Sequence, residues 1–131
     1  MDLKRKIYKT DLGGEELSLE VSTLAGKANG AVIGRQGGTA VLAAVVMSKG
    51  DKPGDFFPLT VDYEERFYAA GKILGSRFIR REGRPSEEAI LSDRLIDRTI
   101  RPLFDQRLRR EVQVTITVVS YDEKNDPDAL A

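Results

Sequence analysis

The stretch Thr39-Ala40-Val41-Leu42-Ala43-Ala44-Val45-Val46-Met47 decides how the first half of the chain folds. From its second residue onward it is continuously apolar and rich in valine, which predicts a β-strand that is covered on both faces. The dipeptide Gly37-Gly38 comes directly before it and is a turn signal. Residues 31–34 are therefore expected to form the neighbouring strand of a hairpin.

Shorter strand patterns precede this hairpin. Residues 17–21 alternate apolar and polar side chains, as a half-buried strand does, and residues 6–10 form a short mixed strand. Gly13-Gly14 lies between these two segments, and Ala28-Asn29-Gly30 is a further turn signal. Closely spaced strands joined by glycine turns predict an antiparallel meander rather than β-α-β units.

The second half of the chain adds a helix and two strands. Residues 59–63 alternate as a strand, whereas residues 67–85 show no period and are interpreted as a long loop, a kind of segment that is often functional. Ser86 is expected to cap a helix, and Pro102 limits this helix to about residue 101. Its apolar stripe at helical spacing consists of Ile90, Leu91, Leu95, Ile96 and Ile100.

A final strand is expected at residues 112–121, and Asn125-Asp126-Pro127-Asp128 then signals the start of another helix. The pattern as a whole predicts an α+β fold with a helix packed on an antiparallel or mixed sheet. A helix of a single turn has no independent stability, because nucleation costs more than one turn returns. We therefore expect the domain to continue beyond Ala131.

The composition restricts the chemistry that the chain can perform. Its 131 residues suffice for one domain, and 21 basic and 21 acidic side chains cancel, so net charge gives no argument for nucleic acid. Without cysteine there is no disulfide or thiolate metal site, and without histidine the commonest general base and zinc ligand is missing. The N-terminus lacks a signal-peptide pattern and no apolar run approaches the roughly 20 residues of a membrane span, so a soluble cytoplasmic protein is expected.

Arginine is concentrated in one segment. Ten arginines and no lysine lie between positions 77 and 110, against six acids. Guanidinium groups bind phosphates through paired hydrogen bonds and stack on bases. Arg80, Arg81 and Arg84 share the glycine-containing loop with Phe78. This combination suits a grip on single-stranded nucleic acid, in which the arginines meet phosphates and the ring stacks on a base.

A second group, Arg94, Arg98 and Arg101, has the spacing i, i+4 and i+7, which places all three on one helix face. Phosphates running along that face can be held in register. Asp93 and Asp97 are neighbours, however, and arginine–carboxylate pairs on a surface helix explain the same spacing without any ligand. The residues alone leave both interpretations open.

Three other clusters have simpler explanations than a functional site. Asp62 and Glu64 share one strand face and Glu65 points away, so a solvated strand end is favoured over a metal site or a general base. The stretch Gly34-Arg35-Gln36-Gly37-Gly38 lacks the Lys-Ser/Thr of a P-loop and is interpreted as a hairpin turn. Ser86 has no histidine partner, so it is interpreted as a helix cap and not as a nucleophile.

Five blocks of sequence then identify a family by their order and spacing. They are Phe56-Phe57-Pro58-Leu59-Thr60-Val61-Asp62-Tyr63-Glu64-Glu65-Arg66, Tyr68-Ala69-Ala70-Gly71-Lys72-Ile73, Arg80-Arg81-Glu82-Gly83-Arg84-Pro85-Ser86, Arg94-Leu95-Ile96-Asp97-Arg98 and Ile100-Arg101-Pro102-Leu103-Phe104. From about Ala28 onward the chain resembles the first RNase PH-type domain of the bacterial polynucleotide phosphorylase family. The resemblance implies that residues 1–131 are an incomplete first RNase PH-like domain. The second such domain and the KH and S1 RNA-binding domains are then absent from this chain.

The resemblance also implies an activity and partners. Members degrade RNA from its 3′ end with inorganic phosphate as co-substrate and release nucleoside diphosphates, which is polyribonucleotide nucleotidyltransferase activity. They require Mg²⁺, form ring-shaped homotrimers around a channel, bind single-stranded RNA and can have degradosome partners, but they do not involve a membrane. Their phosphate site and metal ligands belong mostly to the second RNase PH-like domain. No catalytic residue and no metal ligand is therefore expected in this chain, and the isolated chain is expected to be inactive.

The RNA-binding residues that the resemblance implies are Phe78, Arg80, Arg81, Arg84, Arg94, Arg98 and Arg101. Members carry Phe-Phe-Arg-Arg in their channel loop where this chain has Phe78-Ile79-Arg80-Arg81, so one aromatic is isoleucine here. Thr99 stands where a proline is common, which favours continuation of the helix. The alternatives are a non-catalytic RNA-binding or assembly module and another RNase PH-like subunit. The context of residues 80–86 favours the two-domain family over the latter.

Overall fold

The computed structural model describes residues 4–73 and 84–131. One six-stranded sheet carries the fold, with β1 at Lys6–Leu12, β2 at Glu15–Val21, β3 at Gly30–Gln36, β4 at Thr39–Asp51, β5 at Leu59–Glu65 and β6 at Arg110–Ser120. The helices are α1 at Glu87–Ile100 and α2 at Pro127–Leu130, with short 3₁₀ helices at Phe67–Ala70 and Arg101–Leu103. None of the helices described is long and apolar enough to cross a membrane.

Strands β1 to β4 form the predicted antiparallel meander. The β1–β2 and β3–β4 turns depend on glycine, as expected from the sequence. Gly13 and Gly14 have φ values of 66° and 86°, and Gly37 has a φ of 57°. These left-handed conformations are accessible to glycine without steric penalty, so each turn closes in the register that the strands require.

The last strand in sequence does not lie at the end of the sheet. The spatial order is β1-β2-β3-β4-β6-β5, so β6 is inserted between β4 and β5. It runs antiparallel to β4 and parallel to β5. The second half of the molecule is therefore a β-α-β unit, β5-α1-β6, attached to the meander. The α+β class with a mixed sheet is confirmed.

The core lies between α1 and the β5–β6 side of the sheet. Helix α1 packs against β5 through Ala89 and Ile96. Ser92, on the same face, donates its hydroxyl hydrogen to Asp128 at 2.7 Å and so ties α1 to the first turn of α2. The buried apolar residues are Val41, Phe57, Leu59, Val61, Tyr63, Ala69, Ala89, Ile96, Val112, Val114, Ile116 and Val118.

The predicted apolar stripe of α1 was partly wrong. Ile96 is buried and Ile100 packs against the core, but Leu91 and Leu95 are 67% and 56% exposed and Ile90 is also exposed. The buried face is centred on Ile96 with residues four and seven positions before it. At about 100° per residue, Leu91 and Leu95 lie to one side of that face.

The prediction that β4 is covered on both faces holds only at its start. Thr39, Ala40 and Val41 are buried, whereas Val46 and Met47 are 47% and 36% exposed. Among the described elements, α1 lies over β5 rather than over β4, and α2 reaches β4 with a single turn. The second half of β4 therefore has apolar side chains that no described helix covers.

Candidate nucleic-acid interface

The N-terminal end of α1 is built as predicted. Ser86 has an extended backbone and its hydroxyl oxygen accepts the N–H of Ala89 at 3.1 Å. Glu87 and Glu88 occupy the first turn, where negative charge is favourable beside the positive end of the helix dipole. The cap fixes where α1 starts, and packing on β5 decides which of its faces is turned to solvent.

Two of the candidate arginines lie on that solvent face without a partner. Arg94 and Arg98 are exposed and are separated by one helical turn. Within residues 4–73 and 84–131, neither guanidinium takes part in a hydrogen bond or an ion pair. Their N–H groups are therefore available to an anionic ligand, and their spacing suits successive phosphates of a strand.

Arg101 differs from the other two in that its guanidinium is engaged within the chain, although its backbone continues the helical conformation as the C-cap of α1. Its side chain is half-buried and forms an ion pair with Asp97, one turn earlier. It also donates to the backbone carbonyl oxygens of Phe57 at 3.2 Å and Leu59 at 3.1 Å. For this residue the ion-pair interpretation describes the contacts, whereas its assignment to RNA stays a prediction.

The remaining arginines described after α1 are engaged in local structure. Arg107 forms a two-bond pair with Asp105, an interaction that lowers the pKa of the Asp105 carboxyl. Arg109 donates to the carbonyl oxygens of Gln106, Leu108 and Asp55, and Arg110 lies 3.7 Å from Asp51. The high arginine count of the segment thus overstates the positive charge that a ligand meets.

Arg84 contributes to a separate feature, a cavity of about 660 Å³ between β5, the Phe67–Ala70 turn and the first half of α1. Lys72 lines the same cavity, together with apolar side chains such as Ile90 and Tyr121. Sequence reasoning did not select Lys72, because no local pattern places it opposite Arg84. The other loop candidates, Phe78, Arg80 and Arg81, lie outside the described residues.

Two buried polar atoms that face this cavity region have no hydrogen-bond partner among residues 4–73 and 84–131. They are the hydroxyl of Tyr63 and Oδ1 of Asp93. Burial, followed by the negative charges of Asp128 and Glu65, raises the pKa of Tyr63 well above its usual value. Burial, followed by Asp62 and Asp97, raises the pKa of Asp93, and Arg94 opposes this shift. Tyr63 therefore stays neutral at pH 7 and can donate one hydrogen bond.

The carboxylates at the end of β5 are used in side-chain contacts within the sheet. Asp62 accepts a hydrogen bond from Gln113 at 3.0 Å, and Glu64 pairs with Arg66 at 2.6 Å. In the described part of the chain, no three acidic side chains converge in a way that can hold a metal ion.

Comparison with known proteins places these features in a family. Residues 14–131 match the model of the 3′ exoribonuclease family, domain 1. A polyribonucleotide nucleotidyltransferase of Exiguobacterium sibiricum is 56% identical over 131 residues, and one of Brevibacillus brevis is 53% identical. The match with the corresponding protein of Lysinibacillus sphaericus is 59% over 119 residues. These matches span 91–100% of this chain but only 17–18% of the length of those relatives.

Solved structures support the fold. Rice Rrp46 superposes with a TM-score of 0.55 at 17% identity, covering 92% of this chain and 47% of that one. A chain of the Archaeoglobus fulgidus exosome, solved with RNA bound to the active site, superposes with a TM-score of 0.54 at 21% identity, covering 93% and 45%. At these identities the likeness concerns the fold alone.

Proposed function

Because this chain belongs to the 3′ exoribonuclease family through its domain 1, we propose that it is part of a polyribonucleotide nucleotidyltransferase. The parent enzyme would shorten RNA from the 3′ end with inorganic phosphate and release nucleoside diphosphates. The chain spans about 18% of the length of relatives that carry this name, so the activity belongs to a larger protein. The part described here would guide the RNA strand.

The observation that carries this proposal is the pair Arg94 and Arg98. Within residues 4–73 and 84–131, neither exposed guanidinium takes part in a hydrogen bond or an ion pair, whereas Arg101 and Arg107 are paired with aspartates. The N–H groups of Arg94 and Arg98 can therefore meet the phosphates of an RNA strand, which supply acceptors and negative charge. Arg84, two residues before the N-cap of the same helix, adds a third positive charge.

Phosphorolysis needs positioning and charge neutralisation above all, since phosphate itself is the attacking group. Arginines that hold the strand provide the positioning and part of the charge neutralisation. The ligands of the proposed magnesium ion would lie outside the described residues, and no step is assigned to that ion here. We assign RNA contacts to Arg84, Arg94 and Arg98 and, from the family resemblance, to Phe78, Arg80 and Arg81.

Assembly into a homotrimer is part of the same proposal. Leu91 and Leu95 are large apolar side chains exposed on α1, and clustered exposed leucines favour coverage by protein. A cytoplasmic location and degradosome partners would follow from RNA turnover as the function.

RNA binding can be tested on the chain itself. Fluorescence anisotropy with a labelled single-stranded oligonucleotide would be measured across a salt series for the wild type and for Arg94→Ala combined with Arg98→Ala. The slope of log K against log[salt] is negative, and losing two phosphate contacts should make it less negative by about 1.4. Arg107→Ala is the matched control, because it removes an exposed arginine that is already paired with Asp105.

The same experiment separates the enzyme from its alternatives. An unchanged slope in the double variant would remove the RNA assignment from α1. Phosphate-dependent release of nucleoside diphosphates should be absent from the 131-residue chain and present in the full-length protein. If the full-length protein binds RNA without releasing nucleoside diphosphates, a non-catalytic binding or assembly module becomes the better account.

A further inference from the structure

Arg101 makes more hydrogen bonds than Arg84, Arg94 or Arg98, the other candidate arginines that the structure describes. Nε and Nη2 donate to the two carboxylate oxygens of Asp97 at 3.0 and 3.1 Å. Nη1 donates to the carbonyl of Phe57, and Nη2 donates a second time, to the carbonyl of Leu59. Four of the five guanidinium N–H groups are thus committed within the chain.

The two carbonyls belong to the open side of the sheet. β5 is an edge strand, because it pairs with β6 and with no other strand described. The carbonyl of Pro58 faces β6, where it accepts the N–H of Val112 at 3.0 Å. The N–H of Leu59 lies on the opposite side, where it donates to the carbonyl of Phe57 at 3.0 Å directly before β5. Arg101 donates to this carbonyl and to that of Leu59, so its guanidinium lies at the start of the open edge of β5.

This arrangement requires the shape of arginine. A planar guanidinium presents its donors as a fixed fork, which here spans a carboxylate on α1, the carbonyl of Phe57 just before β5, and the carbonyl of Leu59, the first residue of β5. A lysine ammonium keeps the charge but cannot reach three acceptors that lie on two elements. The contact therefore joins the C-terminal end of α1 to the start of β5 with a defined geometry.

We propose that Arg101 is a positioning residue that clamps the end of α1 to the edge of β5. Through the helix it holds Arg94 and Arg98, seven and three positions earlier, at a fixed place relative to the sheet. It does not itself grip RNA, because one remaining N–H group cannot form a paired contact with phosphate. The effect of Arg101 on RNA binding rests on the function proposed above, whereas the contact between α1 and β5 does not.

The clamp can be tested without RNA. The chain has no cysteine, so Thr60→Cys and Thr99→Cys place one spin label on β5 and one on the last turn of α1. We expect Arg101→Lys to broaden or shift the distance distribution between the labels, and Arg98→Lys to leave it unchanged. An unchanged distribution in Arg101→Lys would overturn the clamp. If that variant does not fold, Asp97→Asn removes the carboxylate charge and must broaden the distribution instead.

The second measurement concerns RNA affinity of the folded variants across a salt series. Arg101→Ala should weaken binding about threefold to tenfold while the slope of log K against log[salt] stays at the wild-type value. If the slope instead becomes less negative by about 0.7, as expected for Arg98→Ala, Arg101 is a phosphate contact and the positioning role is overturned. Unchanged affinity would reduce Arg101 to a structural residue and also overturn it. If neither this chain nor the full-length protein binds RNA, the proposed function fails, whereas the label distances still decide the clamp.

Discussion

The hydroxyl of Thr39 donates a hydrogen bond of 2.9 Å to Oδ1 of Asp122, across 83 positions of sequence. The Oδ2 atom of the same carboxylate accepts the N–H of Gly38 at 2.8 Å, and Oδ1 also accepts the N–H groups of Lys124 and Asn125. One aspartate thus joins the β3–β4 turn to the segment that follows β6. Thr39 is fully buried, so its hydroxyl depends on Asp122 for this hydrogen bond.

Replacement of Thr39 by valine tests this junction. The side chain keeps its volume but loses its only donor, and Asp122 loses one of its hydrogen bonds. We expect the free energy of unfolding in urea to fall by about 1–3 kcal/mol. Thr60→Val is the matched control, since Thr60 is exposed on β5 and should tolerate the change. Equal unfolding midpoints for the wild type and Thr39→Val would argue against the junction.

Asp122 also predicts how stability depends on acid. Hydrogen bonds from the Asn125 and Lys124 backbone N–H groups hold the pKa of Asp122 well below its ordinary value of 3.8. A carboxyl whose folded pKa is depressed stabilises the native state above its unfolded pKa, and that stability is lost as pH falls from there toward the folded pKa. The melting temperature of the wild type should therefore decline below about pH 4, and that of Asp122→Asn should decline less steeply. Asp55→Asn, at an exposed site, should retain the wild-type steepness.

The raised pKa of Tyr63 predicts how stability changes at alkaline pH. Burial raises its folded pKa above the unfolded value of 10.0, so its contribution is present below pH 10 and is lost as pH rises beyond that value. Tyr63→Phe removes a buried hydroxyl that has no partner and should change stability at pH 7 by no more than about 1 kcal/mol. Above about pH 10, the variant should lose stability less steeply than the wild type. A parallel decline of both proteins in alkaline thermal melts would count against the assignment.

The cap of α1 gives a fourth prediction. Ser86→Ala leaves the N–H of Ala89 without its acceptor and should destabilise the protein by about 1 kcal/mol. Ser86→Thr should keep the cap, because the threonine hydroxyl can accept the same hydrogen bond and can also donate to Glu65, as Ser86 does at 3.4 Å. Chemical denaturation of the three proteins provides the comparison. Should Ser86→Ala and Ser86→Thr prove equally stable, the cap would not contribute as described.

Local signals in the sequence predict the local parts of this fold well. Gly13, Gly14 and Gly37 mark turns because only glycine adopts their backbone conformations freely, and Ser86 marks the start of a helix by its hydrogen bond. The exposure of Leu91 and of Val46 could not be predicted in the same way. Periodicity reveals that a side chain is apolar on a given face, but coverage depends on where other elements pack.

The candidate site shows the same division. The spacing of Arg94 and Arg98 correctly places both on one helix face, because helical geometry is local. Arg101 differs because two of its acceptors are backbone carbonyls more than 40 positions away, at Phe57 and Leu59. A carbonyl has no signature in the sequence, since every residue carries one. Sequence therefore finds the arginines, whereas topology decides which of them remain available.

The insertion of β6 between β4 and β5 also orders events during translation. The β1–β4 meander can close as soon as it leaves the ribosome, because each strand pairs with the one made just before it. β5 must wait for β6, which begins about 45 residues later, or roughly two to nine seconds of synthesis. Throughout that interval its apolar side chains, including Leu59 and Val61, lack their eventual neighbours. Until β6 has been made, β5 therefore remains accessible to chaperones and proteases.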